Sequence, residues 1–507
     1  MKSQNGFRWV GPVLGCLAID LLAAGAAASA ASEPTSPGAG DGLAWQAHDL
    51  RLQVGGDLLG RYETWNWFGD LNDDYDFHWG RARIHLRANM GEHLEFFVEP
   101  QFVVLDNLPD DGVAPVPRGP SGMGGLYYLH SGEDSPDSLG FHQAWLKVAG
   151  LADVPVEVTL GRFAYASGLE HVRIADGPKF NALKEMRLGD RMISSFDWAA
   201  FARSFDGARA DCTTASGTFS LSASLMYPTQ GGWEEDFNRT MDDVRIVSVV
   251  GTVAKDAMIS GSEIAVFAYH YDDARRCSQR VDNSGQAAAE ADISVVTAGA
   301  HWLGLHPLGD GQVDTLLWGC IQDGDWYEQN HQAFAVAAEV GYQLPHLLLK
   351  PWLRAGCFLG SGDPDPGDDT HETFLQMAPG TRKYQLFPYY DLQNMESVFL
   401  QCILFPRKDL KLRFDYSVNR LAKDDDRWYM GTGPTQNAGA IYGYLGRPSQ
   451  GDDALSAETS IMVTWDFNPQ WSINVFYCHV WGDDVIENLY PEENDADYAS
   501  LELTFKF

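Results

Sequence analysis

Three patterns in the 507-residue sequence predict an all-β chain, a transmembrane antiparallel β-barrel of about 18 strands with long extracellular loops and short periplasmic turns. Segments of about ten residues alternate apolar and polar side chains, and long and short connections alternate between them. The chain also closes on an amphipathic strand whose last residue is aromatic. A period of two puts Leu501, Leu503, Phe505 and Phe507 on one face of that strand, and Glu502, Thr504 and Lys506 on the other. In a barrel this strand pairs with the first one, so that no open edge meets lipid. Its expected partner begins near Leu50.

At the N-terminus, Lys2 and Arg8 precede an apolar run over residues 10–28 that ends in Ala28-Ser29-Ala30. This is the pattern of a secretory signal occupying residues 1–30. A lipidated Cys16 fits less well, because the apolar run continues past it. Residues 31–48 are small, Pro- and Gly-bearing and aperiodic, and are expected to form a flexible periplasmic lead-in to a barrel over 49–507. No internal segment approaches the ~20 apolar residues of a membrane helix. Beyond the signal, Cys212, Cys277, Cys320, Cys357, Cys402 and Cys478 are scattered singly, which indicates neither a zinc site nor a disulfide framework. With 70 Asp and Glu against 36 Lys and Arg, the formal charge is −34. Such a chain is a poor nucleic-acid binder, and most of its charge is expected in solvated loops.

Alternating segments fall at roughly 50–64, 79–90, 94–104, 141–149, 155–163, 203–212, 217–227, 244–253 and 262–271. They continue at roughly 292–303, 312–322, 332–342, 350–359, 395–404, 409–419, 457–466, 470–480 and 498–507. Odd-numbered connections are long, with 323–331 ambiguous. Even-numbered ones are short and carry turn residues such as Gly91-Glu92-His93, Phe405-Pro406 and Asn468-Pro469. A soluble sandwich or propeller has no reason to segregate its loops in this way.

Lipid requires apolar side chains outside, so the polar parity faces the lumen. In the second strand Ala82, Ile84, Leu86, Ala88 and Met90 face lipid, and Arg81, Arg83, His85, Arg87 and Asn89 point inward. An arginine at mid-membrane on the lipid face would cost roughly 2–4 kcal/mol, which fixes that assignment. The same rule turns Asp57, Arg61 and Glu63 inward in the first strand, and Lys411, Arg413, Asp415 and Asn419 in the fifteenth. Arg354 joins the expected pore-lining set. Glu95, Glu99, Glu339, Asp415 and Glu458 share the inward parity, so wall carboxylates can cancel part of the arginine field. Trp65, Trp67, Trp79, Trp465 and Trp471 lie near strand ends and are expected in the interfacial girdle, with sugar stacking as the alternative. Asp363, Asp365, Asp368 and Asp369 lack EF-hand spacing and are expected to form a solvated acidic loop, with Ca²⁺ binding through their carboxylate oxygens as the alternative.

Unusual residues are densest after the fifth strand. Gly161-Arg162-Phe163-Ala164-Tyr165-Ala166-Ser167-Gly168 is followed by Asp197-Trp198 and by Arg203-Ser204-Phe205-Asp206-Gly207-Ala208-Arg209. These segments resemble the alginate-export outer-membrane porin family, with its Leu-Gly-Arg strand end and Arg-Ser-Phe-Asp-Gly-x-Arg opening. The resemblance continues through Glu339-Val340-Gly341-Tyr342, Lys350-Pro351, the Ser361–Asp368 stretch, Asp415-Tyr416, Arg420-Leu421-Ala422, Trp428-Tyr429, His479 and Gly482-Asp483. It implies an eighteen-stranded barrel whose constricted, positively charged lumen passes an anionic uronate polymer. It also implies pore-lining roles for Arg162, Arg203, Asp206 and Arg209, and more loosely for Arg81, Arg83 and Arg87. Strict alternation turns Arg162 to lipid, and a bulge at Gly161 is expected to re-aim it. The connection between Gly168 and Asp197 is longer than the family pattern and carries Lys179, Lys184, Arg187 and Arg191, placed to fold into the mouth.

Guanidinium groups in a narrow low-dielectric pore focus positive potential, and their bidentate geometry suits carboxylates. The expected function is therefore a porin for passive passage of an anionic polysaccharide or oligosaccharide, in contact with outer-membrane lipids. It would act as a monomer, alongside periplasmic export or synthesis partners. No cofactor, metal or catalytic residue is implied: Gly-x-Ser-x-Gly, His-Glu-x-x-His and phosphate-loop patterns do not occur. The alternatives are an uptake porin for small acidic or neutral sugars, a membrane-embedded hydrolase, or a plugged adhesion barrel.

Overall fold

In the computed structural model, residues 43–69, 74–150, 155–275, 293–430 and 446–507 are described, apart from 166, 171, 173, 175, 176 and 381. The expected signal over 1–30, most of the lead-in and Cys277 lie outside these residues. The barrel strands are β1 (Leu50–Asn66), β2 (Asp74–Met90), β3 (Leu94–Asp106), β4 (Asp137–Ala149), β5 (Val156–Phe163) and β6 (Phe205–Thr213). Next come β7 (Phe219–Pro228), β8 (Val244–Val253), β9 (Ser262–Asp273), β10 (Ile293–Leu308), β11 (Gly311–Trp326) and β12 (Gln329–Gln343). The circuit ends with β13 (Trp352–Gly360), β14 (Met395–Arg407), β15 (Leu410–Leu421), β16 (Ala454–Asp466), β17 (Trp471–Gly482) and β18 (Asp495–Lys506). Each pairs antiparallel with its sequence neighbour, and β18 pairs with β1, so the eighteen-stranded cylinder closes as expected.

Closure runs from Asp57 opposite Lys506 to Asn66 opposite Asp497. It therefore starts seven residues beyond Leu50. The first residues of β1 pair instead with a short strand, Leu43–Ala47, formed from the end of the expected lead-in. Phe507 supplies the last rung: its N–H donates to the Gly56 carbonyl at 3.0 Å, and its carbonyl accepts from the Gly56 N–H at 3.0 Å. A Cβ on Gly56 would lie 2.2 Å from the Arg83 carbonyl, so only glycine fits this seam. Deleting Phe507 should lower the fraction of heat-modifiable, assembled barrel in the outer membrane while leaving export to the periplasm intact. Gel mobility of unheated membranes measures this.

Parity holds around the cylinder. Leu317, Ile321, Val398, Leu400, Leu501 and Leu503 are exposed outward, and Trp465 and Trp471 lie exposed near the short-turn end. Trp65, Trp67 and Trp79 correct the girdle expectation: they are 1%, 0% and 3% exposed, inside the barrel. They share the inward parity of Arg61 and Arg81, and parity outweighs nearness to a strand end. Two connections also differ. Strands β11 and β12 extend over the ambiguous segment and leave only Tyr327-Glu328 between them, with Tyr327 at φ 58°. Phe405-Pro406 is no turn but a bulge within β14, the reversal coming at Lys408-Asp409.

The apolar core lies inside the cylinder, toward the long-loop end. Connections 107–136, 164–204 and 361–394 fold inward and bury Phe180, Phe196, Phe201, Phe374, Phe387, Tyr389 and Tyr390. Helix α1 (Gly122–Ser131) packs there, its close approach permitted by Gly122 and Gly124 against Trp65 and Tyr75. Trp65 stacks on Tyr498 with ring centroids 4.2 Å apart.

Candidate functional site

Connection 164–204 crosses the lumen and sets its charge. It descends to helix α2 (Pro178–Leu183), where the Lys179 ammonium donates to Gln312 Oε1 at 2.6 Å near the short-turn end of β11. Proline at the first helical turn starts this helix, since its missing N–H has no partner to lose there. A π-helical turn (Lys184–Leu188) follows and sets basic side chains against one wall. Lys184 pairs with Glu263 at 3.1 Å, and Arg191 with Glu339 at 3.2 Å. Arg187, fully buried, pairs with Asp314 and, at 3.4 Å, with Glu339. Arg354 of β13 completes the cluster, 2.9 Å from Glu339.

The chain then reaches the opposite wall. Arg83 Nη2 donates to Asp197 Oδ1 at 2.6 Å, and Arg83 Nε to Gln101 at 2.6 Å. Arg81 donates to the Asp197 carbonyl at 2.9 Å and to the Ala199 carbonyl at 3.2 Å. Arg61 holds Glu502 of β18 at 2.9 Å and the Trp198 carbonyl at 2.7 Å. The connection is a strut: basic toward the acidic wall, acidic toward the basic wall. It is also stitched to connection 361–394, with Ser194 N–H donating to the Ala378 carbonyl at 2.7 Å and the Trp198 indole to Gly380 at 2.6 Å.

Beside the strut lies a polar cavity of about 330 Å³. Arg354, Arg382, Lys383, Lys411 and Arg413 face it, as do Glu185, Asp190, Asp197, Glu339 and Asp415. Arg354 and Arg413 are matched, the latter 2.7 Å from Asp415. Arg382, Lys383 and Lys411 have no carboxylate within ion-pair distance among the described residues. The Arg382 guanidinium instead lies 4.6 Å over Trp198 and 5.5 Å from the Phe476 ring centroid. Lys383 donates to the Gly189 carbonyl, and desolvation together with the nearby Arg191 pushes its ammonium down to about 7. A second cavity, of about 550 Å³, opens among β4–β7 and is lined by Lys147, Glu157, Arg209 and Asp211.

Of the residues singled out in the sequence, Arg61, Arg81, Arg83, Arg87, Arg209, Arg354 and Arg413 carry the inward parity of their strands. Arg87 is spent on Glu95 at 3.3 Å, and Arg209 on Asp211 at 2.8 Å. Arg162 and Asp206 correct the expectation. Their register runs unbroken, Arg162 opposite Ala144 and Asp206, so Gly161 introduces no bulge and both face outward with Leu160 and Ala208. There they form a bidentate pair of 2.7 and 2.6 Å, which also grips Asn238 of connection 229–243 at 2.6 Å. Arg203, at the end of the strut, is fully buried against Phe196 and lines neither cavity. Asp363 is buried rather than solvated, accepting from the Asp365 N–H at 3.1 Å, and among the described residues no cluster suited to a metal forms.

Sequence patterning missed Arg382 and Lys383, because an irregular connection has no parity to read. Their one signal is a dibasic pair inside an otherwise apolar stretch of a very acidic chain.

A closed eighteen-stranded cylinder with a lipid-facing apolar band and a charged lumen defines an integral outer-membrane β-barrel porin. Within that class the chain belongs to the alginate-export family, whose profile matches residues 51–498. No match is found among curated protein sequences. Among solved structures, a BenF-like porin from Pseudomonas fluorescens Pf-5 is similar at a TM-score of 0.57 and 10% identity, over 90% of this chain and 98% of that one. Pseudomonas aeruginosa OccK9 (OpdG) gives 0.56 at 11% identity with the same coverage. Pseudomonas aeruginosa OpdK, solved with vanillate, gives 0.55 at 9%, again over 90% and 98%. At these identities the likeness establishes the fold. Family and fold are those of transport channels.

Proposed function

We propose that the barrel passes an anionic polysaccharide or oligosaccharide, of the polyuronate kind its family is named for, passively through the cavity beside the strut. The observation that carries this is the set Arg382, Lys383 and Lys411. In a chain of formal charge −34, three cations face one lumenal cavity without a carboxylate partner among the described residues. Their field in a confined, low-dielectric space attracts carboxylates, while exchange between several such groups lets a bound anion leave again. Arg81, Arg83, Arg354 and Arg413 stand behind them with charges already matched, so they shape the path more than they attract. One chain completes the cavity, consistent with action as a monomer.

A second reading, uptake of small acidic or neutral sugars, is favoured by the modest 330 Å³ cavity and by the filled long-loop half of the cylinder. Planar-bilayer recordings separate the two. Polyuronate should block conductance at micromolar concentration, and neutral oligosaccharides should not. Equal block by neutral and anionic oligomers, or no conductance at all, would overturn the proposal.

A further inference from the structure

We infer that the Asp197 carboxylate is an internal stand-in for a substrate carboxylate, and that its displacement from Arg81 and Arg83 makes the lumen select polyanions over single acidic sugars. The inference rests on the anion path proposed above. One oxygen, Oδ1, makes both contacts, 2.6 Å from Arg83 Nη2 and 3.3 Å from Arg81 Nη1. The arginine side chains are 7% and 5% exposed, whereas the Asp197 side chain is 54% exposed and faces the cavity holding Arg382, Lys383 and Lys411. The two guanidiniums lie buried behind Asp197, so an arriving carboxylate reaches them by displacing the exposed carboxylate already seated there. Arg81 keeps its bonds to the Asp197 and Ala199 carbonyls, and Arg83 its bond to Gln101.

Selectivity follows from tethering. Asp197 is held beside the pair by Trp198, whose indole and carbonyl are both bonded, so it competes at an effective concentration on the order of millimolar or above. A free monouronate has no such advantage. A polyuronate does: with some carboxylates on Arg382, Lys383 and Lys411, the next is delivered to the arginine pair intramolecularly. Once displaced, Asp197 faces a polyanion that repels it. Among the described hydrogen bonds, the strut then keeps the Arg61–Trp198 contact and Arg81's carbonyl bonds on the β1–β2 wall.

The test is block of single-channel conductance by sodium glucuronate and by a polyuronate, compared per uronate unit, on the full-length barrel. Wild-type protein should be blocked by the polymer at a concentration at least about tenfold lower than by the monomer. Asp197→Asn should strengthen monomer block about tenfold and narrow that gap, while Asp197→Glu should preserve it. Asp190→Asn, which removes a carboxylate from the same cavity without touching the arginines, should also preserve it. An unchanged gap in Asp197→Asn, or an equal narrowing in Asp190→Asn, would overturn the inference. The wild type gives a readout free of assembly defects: polyuronate, but not glucuronate at equal uronate concentration, should increase limited proteolysis within 164–204. Equal cleavage with both overturns the inference. Equal block per uronate by monomer and polymer overturns it alone, whereas no block by either overturns the anion-path reading with it.

Discussion

Replacing Arg187 by methionine should release the strut from its wall and raise single-channel conductance, with larger fluctuations. Arg187 is fully buried between Asp314 and Glu339, and Glu339 has Arg191 and Arg354 beside it as well. Asp314 has less in reserve: among the described residues, besides Arg187 it accepts from the Trp352 indole, 2.6 Å away, and feels the Arg354 charge without an ion pair to it. Removing one partner of a buried ion pair costs roughly 3–5 kcal/mol, because the remaining charge is stranded away from water. A penalty of that size makes the displaced strut roughly 10² to several 10³ times more populated. The barrel itself should still assemble, since its ladders and its β1–β18 closure do not involve this residue. Arg187→Met combined with Asp314→Leu should restore the wild-type trace, because no unpaired charge remains. Unaltered conductance in the single variant would show that the strut is held by its apolar packing alone.

Placing that ion pair required the structure, whereas the wall did not. Period-two patterning identifies each stave because lipid on one side and water on the other impose opposite demands on successive residues. The same demand sent Arg81 and Arg83 inward. What the pattern leaves open is the partner of an inward charge. Wall carboxylates were the expected source of cancellation, and one acts at Glu95 on Arg87, while Arg209 is matched by Asp211, two residues along its own strand. For Arg81 and Arg83 the partner is Asp197, more than a hundred residues away on an irregular connection. Nothing in a strand's alternation carries that information. Lys184, Arg187 and Arg191 were visible as a basic run placed to fold inward, and they do so. Which carboxylates they meet follows from the depth to which the chain descends, fixed by α2 and its π-helical continuation.

Arg162 shows the converse failure. The motif that makes it conspicuous suggests a lumenal role, and a glycine beside it suggests the means to re-aim it. The register keeps it outward because a side chain near the long-loop end of a strand can reach polar partners without meeting the hydrocarbon band. Asp206, Asn238 and Thr240 supply them, tying connection 229–243 down over the barrel's outer face. An outward arginine is excluded at mid-membrane but not there, so alternation held, and the lumenal role implied by the motif gave way to height along the strand.

Neutralising the three unmatched cations should have the largest effect on selectivity. Arg382→Ala, Lys383→Ala and Lys411→Ala together should lower the anion-over-cation permeability ratio about tenfold, because they remove the cavity cations that no carboxylate meets at ion-pair distance among the described residues. Within the triple, Lys383 sets the pH dependence. Its ammonium titrates near pH 7, against 10.5 for an ordinary lysine, because desolvation and Arg191 disfavour the charged form. The protonated form supplies the positive charge, so anion preference should be highest below about pH 6 and fall as pH rises through 7 toward 8. Lys383→Arg keeps its charge across that range and should flatten the profile at the high-preference level. Lys383→Ala should flatten it at the low one. Reversal potentials in a salt gradient, read at several pH values, measure all of these. A wild-type profile identical to that of Lys383→Arg would remove Lys383 from the path, and an unchanged ratio in the triple variant would remove the cavity itself.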